Sequence, residues 1–322
     1  SARFLATGGV LADGNYSLRL RAGAQAFRDL DGVALNGGAD PVNGNDALGQ
    51  FTVARNNAVS VGLADTARGP GQRLGLGVND TGLAVVLSQA AGVTELRFTL
   101  AYDPALLGVA TLVRGSSLPA GASFSVSELA PGRLAVLISS ASGLPSGALT
   151  LAMLSATVPQ GVAYGAAQVI DVRDLLVNGG ALASLDDDAV HVAAYPGDLD
   201  GDRVHSLADV NLMRGLLDGS SARLAQLPLL DAALLGDVNG SARFDAVDVL
   251  RLTQALNGSA GGIVAIPGAT PVVVTPLPPV TVKPRPEPPK PVPKPVPTPT
   301  WVTPLLTPSA TIAANASIRV SL

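Results

Sequence analysis

Gly197-Asp-Leu-Asp-Gly-Asp-Arg-Val-His-Ser-Leu-Ala-Asp-Val210 returns 39 residues later as Gly236-Asp-Val-Asn-Gly-Ser-Ala-Arg-Phe-Asp-Ala-Val-Asp-Val249, aligned without a gap. The same offset sets Leu216-Leu217 over Ala255-Leu256 and Gly219 over Gly258. Self-similarity at a fixed period marks one structural unit used twice. Counted from the first Asp, oxygen-bearing side chains stand at positions 1, 3, 5, 9 and 12 of each copy. They are Asp198, Asp200, Asp202, Ser206 and Asp209, then Asp237, Asn239, Ser241, Asp245 and Asp248. A hard cation such as Ca²⁺ takes about six to eight oxygens, and a chain curling round it offers every second residue. Position 7 would add a backbone carbonyl, from Val204 or Arg243, and position 12 a bidentate carboxylate from the first turn of a helix. Loop 1 brings four carboxylates and loop 2 three, so charge alone gives loop 1 the stronger pull. Apolar residues at helical spacing over Leu207–Leu217 and Ala246–Leu256 predict a helix after each loop, with Gly219 and Gly258 as C-caps.

An EF-hand has a helix on both sides of its loop. Here Val190-His-Val-Ala-Ala-Tyr-Pro-Gly197 reads as a strand and then a breaker. Two loop–helix units without an entering helix resemble the type I dockerin module, over residues 197–258. The resemblance implies a small all-α, non-catalytic module that folds on two Ca²⁺ ions. It also implies a cohesin-type partner, in cis or in trans, bound through the faces of the helices that follow the loops. The recognition positions 10 and 11 fall on Leu207 and Ala208, and on Ala246 and Val247, all apolar. Position 6, usually Gly because the turn favours positive φ, is Arg203 and Ala242, at about 1 kcal/mol each. Position 8 is His205 in one copy and Phe244 in the other. Leu224 to Leu235 is expected as a helical connection bent at Pro228.

Upstream, residues 56–195 alternate short apolar runs with turn residues. The runs are Val59-Ser-Val61, Ala84 to Leu87, Leu96 to Leu100, Leu134 to Ile138, Leu149 to Leu154 and Val169 to Val172. Breakers such as Gly69-Pro-Gly71, Asp103-Pro104 and Pro131-Gly132 fall between them, with no helical period. That pattern predicts an antiparallel β-sandwich. Leu96-Arg-Phe-Thr-Leu-Ala-Tyr-Asp-Pro-Ala-Leu-Leu107 resembles the strand and turn of cohesin-type domains, which implies a jelly-roll sandwich related to carbohydrate-binding modules. The fold class expected is therefore mainly β, a jelly-roll-like sandwich followed by the dockerin-like module of residues 196–259. Only Tyr195-Pro196 separates the two, so they should share an apolar interface built from one helix face.

The flanks are simpler. In residues 1–55, Leu11 to Leu20, Phe27-Arg-Asp-Leu-Asp-Gly32 and Phe51-Thr-Val53 resemble the closing half of a bacterial immunoglobulin-like repeat, truncated at its N-terminal side. Residues 260–308 are expected as a Pro-rich linker: 266–308 carries sixteen of the 25 prolines, so polyproline II is expected there, with residues 309–322 a short tail.

Composition narrows the function. Aromatics are 3% of 322 residues, so cores must be built from Val, Leu and Ala. With no Cys there is no disulfide, thiolate metal site or Cys nucleophile. Residues 196–258 hold nine Asp, no Glu and five Arg, which carries the whole chain's net charge of −4. No basic patch recommends nucleic acid as partner, and no run of eighteen apolar residues suggests a membrane span. No Ser–His–acid grouping or glutamate pair suggests an enzyme. Asp186-Asp-Asp188 reads as a solvated turn, His191 as a hydrogen-bonded strand residue, and Gly69-Pro-Gly71 as a turn rather than a phosphate loop. The expectation is a secreted or cell-surface scaffold with calcium-dependent protein docking. The alternative is a polysaccharide-binding accessory module, stacking sugars on Phe98, Tyr102, Phe124, Tyr164 and Tyr195.

Overall fold

Short apolar runs between turn glycines become strands in the computed structural model, which describes residues 9–22, 31–37, 45–55, 57–77, 82–218, 232–259 and 262–268. The strands are β1 (Gly14–Leu20), β2 (Ala47–Val53), β3 (Val59–Leu63), β4 (Thr66–Ala67), β5 (Leu83–Leu87), β6 (Glu95–Ala101), β7 (Gly108–Arg114), β8 (Ser123–Ala130), β9 (Arg133–Ser139), β10 (Leu149–Thr157), β11 (Ala167–Val177), β12 (Ser184–Asp187) and β13 (Ala189–Val192). β1 and β2 pair antiparallel as a separate hairpin, with Tyr16 and Phe51 stacked at 6.0 Å. The remaining strands make two sheets, in the orders β12-β3-β5-β10-β7 and β4-β13-β11-β6-β9-β8. Val61, Leu63, Val85 and Leu87 of the first meet Leu96, Phe98, Leu100, Leu134, Val136 and Ile138 of the second across a core without water-exposed side chains. Full burial of each such side chain contributes about 1.5–3 kcal/mol.

Two pairs depart from the antiparallel expectation: β12 runs parallel to β3, and β13 parallel to β4. The cause is that the first and last strands of the sandwich both cross from one sheet to the other, at Ala64-Asp65 and at Asp188. A crossing leaves amides without ladder partners, and the buried carboxylates supply them. Val190 N–H donates to Asp65 Oδ1 at 2.7 Å, and Val172 N–H to Asp188 Oδ1 at 2.9 Å. The Asp186–Asp188 triplet is thus strand and crossing, not a solvated turn. Burial, then the neighbouring charge of Asp65, pushes the Asp187 carboxyl up to about 7. His191 lies on β13 with Nδ1 3.3 Å from Gln168 Nε2, and burial pulls its imidazole down to about 4.

After the sandwich come α1 (Leu207–Leu217), α2 (Ala232–Gly236) and α3 (Ala246–Leu256). α1 and α3 have the bounds that their periodicity predicts. Both open on a capping box, Ser206 with Asp209 and Asp245 with Asp248. Gly258 closes α3 with φ +74°, its N–H donating to Ala255 O at 3.1 Å. Gly219, Pro228, most of the expected connection, the polyproline stretch and the C-terminal tail lie outside the described residues. The linker begins later than residue 260, because the chain turns back onto the body. Ile266 is buried, Ile263 packs against the core, and Gln72 Nε2 donates to Ala265 O at 2.9 Å.

The two parts share one apolar cluster. Ala67, Val192 and Ala194 pack with Leu199, Val210, Met213, Leu235, Val238, Val249, Leu252 and Leu256. Of the helices, α2 lies against β4, while α1 and α3 pack on each other and complete the cluster. It sits at the β4–β13 edge, and among the described residues no helix packs on the outer surface of β6, β8 and β9.

Candidate functional site

Each loop is shaped by where its backbone turns left-handed. Gly201 and Gly240 at position 4 have φ +81° and +74°, and Arg203 and Ala242 at position 6 have φ +67° and +59°. The non-glycine residues at position 6 thus adopt the costly conformation that the spacing demands. Both copies use the same inner bonds. Asp209 Oδ1 accepts the N–H groups of Leu199 (2.8 Å) and Asp200 (3.3 Å), and its Oδ2 that of Ser206 (2.8 Å). Asp248 Oδ1 accepts those of Val238 (3.1 Å) and Asn239 (3.2 Å), and its Oδ2 that of Asp245 (2.9 Å). The position-12 carboxylate thereby ties loop to helix in each unit. A glycine ahead of each loop makes room for the position-8 ring. A Cβ on Gly197 would lie 3.0 Å from His205 Nε2, and one on Gly236 2.4 Å from the Phe244 ring.

In loop 1 the carboxylate oxygens of Asp198, Asp200 and Asp202 lie within 4.8 Å of one another. It is the one such group among the described residues, and it does not take in Asp209. Asp198 is wholly buried while Asp200 and Asp202 are exposed, so the cluster has a closed floor and an open mouth. Burial pushes Asp198, Asp209 and Asp248 above the usual carboxylate range, against the donors that favour their ionised forms. In loop 2, Asp237 accepts from Ser241 N–H (2.9 Å) and Ala242 N–H (2.7 Å), and Ser241 Oγ donates to Arg243 O at 3.1 Å. Loop 2 borders a cleft of about 350 Å³, where Asp237, Ala242 and Arg243 face Ser60, Asp65, Arg68 and Asp187 of the sandwich. The donor set of both loops is oxygen alone, anionic, with part of it desolvated. That chemistry fits a hard divalent cation and would be relieved by one.

The sandwich reaches into loop 1 through Tyr164, from the β10–β11 turn. Its hydroxyl accepts the Tyr195 N–H at 3.1 Å and donates to Asp198 Oδ2. The Arg203 guanidinium stands 5.2 Å from the Tyr164 ring centroid. Tyr195 packs beside Tyr164 with centroids 5.6 Å apart and donates its hydroxyl to Pro70 O at 3.0 Å. Gly69 is glycine because a Cβ there would lie 2.2 Å from the Tyr195 ring. Sequence reasoning counted Tyr164 as a stacking aromatic. Its tie to Asp198 spans 34 residues and leaves no periodic signal.

Leu207, Ala208, Ala246 and Val247 are exposed, joined by Leu250. The five aromatic residues do not form a stacking platform: Phe98 and Tyr195 are buried, Phe124 and Tyr102 pack against the sandwich core, and Tyr164 is committed to Asp198. The outer face of the six-stranded sheet carries a shallow groove lined by Arg97, Thr99, Ser125, Leu137, Asp174 and Leu176.

No family model and no curated protein matches the chain. Among solved structures it is similar to a non-cellulosomal cohesin from the hyperthermophilic archaeon Archaeoglobus fulgidus, at 13% identity over 42% of this chain and 90% of that one, with a TM-score of 0.34. CaCohA2 from Clostridium acetobutylicum gives 16% identity over 42% and 91%, TM-score 0.36. The sixth cohesin of scaffoldin B from Acetivibrio cellulolyticus, solved in complex with a dockerin, gives 18% over 42% and 98%, TM-score 0.37. Each likeness covers less than half of this chain.

Proposed function

We propose that residues 197–256 form a calcium-dependent, non-catalytic protein-docking unit of dockerin type, fixed to a β-sandwich of an extracellular scaffold. The observation that carries this reading is the repetition of one loop geometry: positive φ at positions 4 and 6, oxygen side chains at 1, 3, 5 and 9, and a helix-borne carboxylate at 12. Asp198, Asp200, Asp202, Ser206 and Asp209, with the Val204 carbonyl, would hold one ion. Asp237, Asn239, Ser241, Asp245 and Asp248, with the Arg243 carbonyl, would hold the other. The ions supply fixed positive charge that cancels the carboxylate cluster and holds the loops. The chain's own helices do the docking, by presenting Leu207, Ala208, Ala246, Val247 and Leu250 outward. Calorimetric titration of the full chain with Ca²⁺ tests this. Two ions are expected, one lost in Asp198→Ala and the other in Asp237→Ala. Absence of binding by the unaltered chain overturns the reading.

The groove over β6, β8 and β9 favours a second reading, in which the sandwich receives a loop–helix partner from another chain. Several of the similar solved structures are cohesins in complex with dockerins. On this reading the partner is the reverse of the cohesin-type one expected from the sequence. Loss of a pulled-down dockerin in Leu137→Asp, with retention in Val247→Asp, would assign binding to the sheet.

A further inference from the structure

Loop 1 and loop 2 hold their first carboxylates differently. Among the described residues, the hydrogen bonds to Asp237 come from its own loop, from Ser241 and Ala242. Asp198 takes Gly201 N–H on Oδ1 and Arg203 N–H on Oδ2, at 2.9 and 3.0 Å, and in addition the Tyr164 hydroxyl from the sandwich. That hydroxyl has one hydrogen to give, and its acceptor side is taken by Tyr195 N–H. The hydrogen therefore points at Asp198 in a fixed direction, and the Arg203 guanidinium over the ring narrows the movement of the tyrosine further. Tyr195, next in the relay, is itself pinned between Gly69 and the Pro70 carbonyl. A path of direct contacts thus runs from the 69–71 turn through two tyrosines to a carboxylate wholly out of water.

We infer that Tyr164 is a positioning residue through which the sandwich orients Asp198, so that cation binding at loop 1 and docking of the loop–helix unit on the sandwich are coupled. The inference rests on the calcium reading of the loops. Donors that orient a metal's first ligands typically change its affinity about 10–100-fold when removed. Coupling is reciprocal, so an ion in loop 1 also holds the sandwich contact closed. Loop 2, lacking such a donor, is the internal control.

The test is Ca²⁺ calorimetry on the full chain with one loop disabled at a time. In an Asp237→Ala background, which reads loop 1, Tyr164→Phe is expected to weaken binding about 10-fold or more. In an Asp198→Ala background, which reads loop 2, the same change is expected to leave the affinity as it was. Unchanged affinity at loop 1, or an equal loss at both loops, overturns the inference while leaving the calcium reading intact. An unaltered chain that binds no Ca²⁺ overturns both. Hydrogen exchange on the unaltered chain gives a readout that needs no variant. Calcium is expected to slow exchange of the Tyr195 amide and of residues 68–77, outside both loops. Protection confined to the loops themselves overturns the coupling.

Discussion

In loop 1 the first carboxylate is buried under a tyrosine from the sandwich, and three acidic groups crowd one mouth. In loop 2 the first carboxylate borders a cleft, and the sandwich touches the loop through backbone: a Cβ on Gly240 would lie 2.5 Å from Leu76 O and 2.8 Å from Gly77 N. The two units are alike in φ angles, caps and inner hydrogen bonds, so these do not decide how each is anchored. One copy is tied by side-chain hydrogen bonds that run through Tyr164 to Asp198. The other is fixed by the close approach of two main chains, which responds to shape. Duplication supplied the fold twice, and contact with the sandwich gave the copies different properties.

Exchanging the position-4 glycines should break this comparison most sharply. Gly240→Ala adds backbone overlap to left-handed strain and is expected to cost about 3 kcal/mol or more. Gly201→Ala meets nothing closer than the Tyr164 ring at 3.8 Å and is expected to cost about 1 kcal/mol. Urea denaturation of the two variants measures the gap, and equal losses would show that loop 2 is not held by its backbone. Next in size is a pH effect. The Asp187 carboxyl titrates at about 7 in the folded chain and near 3.8 when unfolded, so its neutral form favours folding. That stability is fully present below about pH 4 and is lost as pH rises through about 7, on the order of 2 kcal/mol after partial exposure is discounted. Asp198, Asp209 and Asp248 are raised too, and act in the same sense in metal-free chain. Denaturation midpoints between pH 4 and 8 are expected to fall with pH, less steeply in Asp187→Asn. Added calcium is expected to remove the loop contribution and leave that of Asp187. The smallest pair concerns position 6. Ala242→Gly is expected to gain about 1 kcal/mol by relieving strain. Arg203→Gly is expected to gain less, because it also removes a cation–ring contact worth about 0.5–1 kcal/mol. Thermal melts of the two variants, read against each other, check the difference.

Much of this was legible from local pattern. The bounds of α1 and α3 followed from spacing, and the positive φ at Arg203 and Ala242 from their loop position. Six of the sandwich strands were visible as apolar runs. β8 was not singled out, because Ser123, Ser125 and Ser127 alternate with only Phe124 and Val126 before the acidic Glu128. β12 was hidden by its aspartates, Asp186 and Asp187, and the acceptor that the crossing needs is the next residue, Asp188. Crossings, and the contacts between Tyr164 and Asp198 or Gly240 and Leu76, join residues far apart in the chain. No window of sequence contains both partners, so neither composition nor period announces them.

The parallel pairing of the outer strands has a mechanical consequence. β3 and β4 enter the sandwich, β12 and β13 leave it, and each leaving strand lies beside an entering one, pointing the same way. Traction on the two ends therefore pulls neighbouring strands past each other lengthwise. All the rungs between them take load together instead of opening one by one like a zip. Such shear loading makes rupture slow under force, whatever the equilibrium stability. A sandwich wired this way is suited to bear tension between the hairpin on one side and the loop–helix unit on the other.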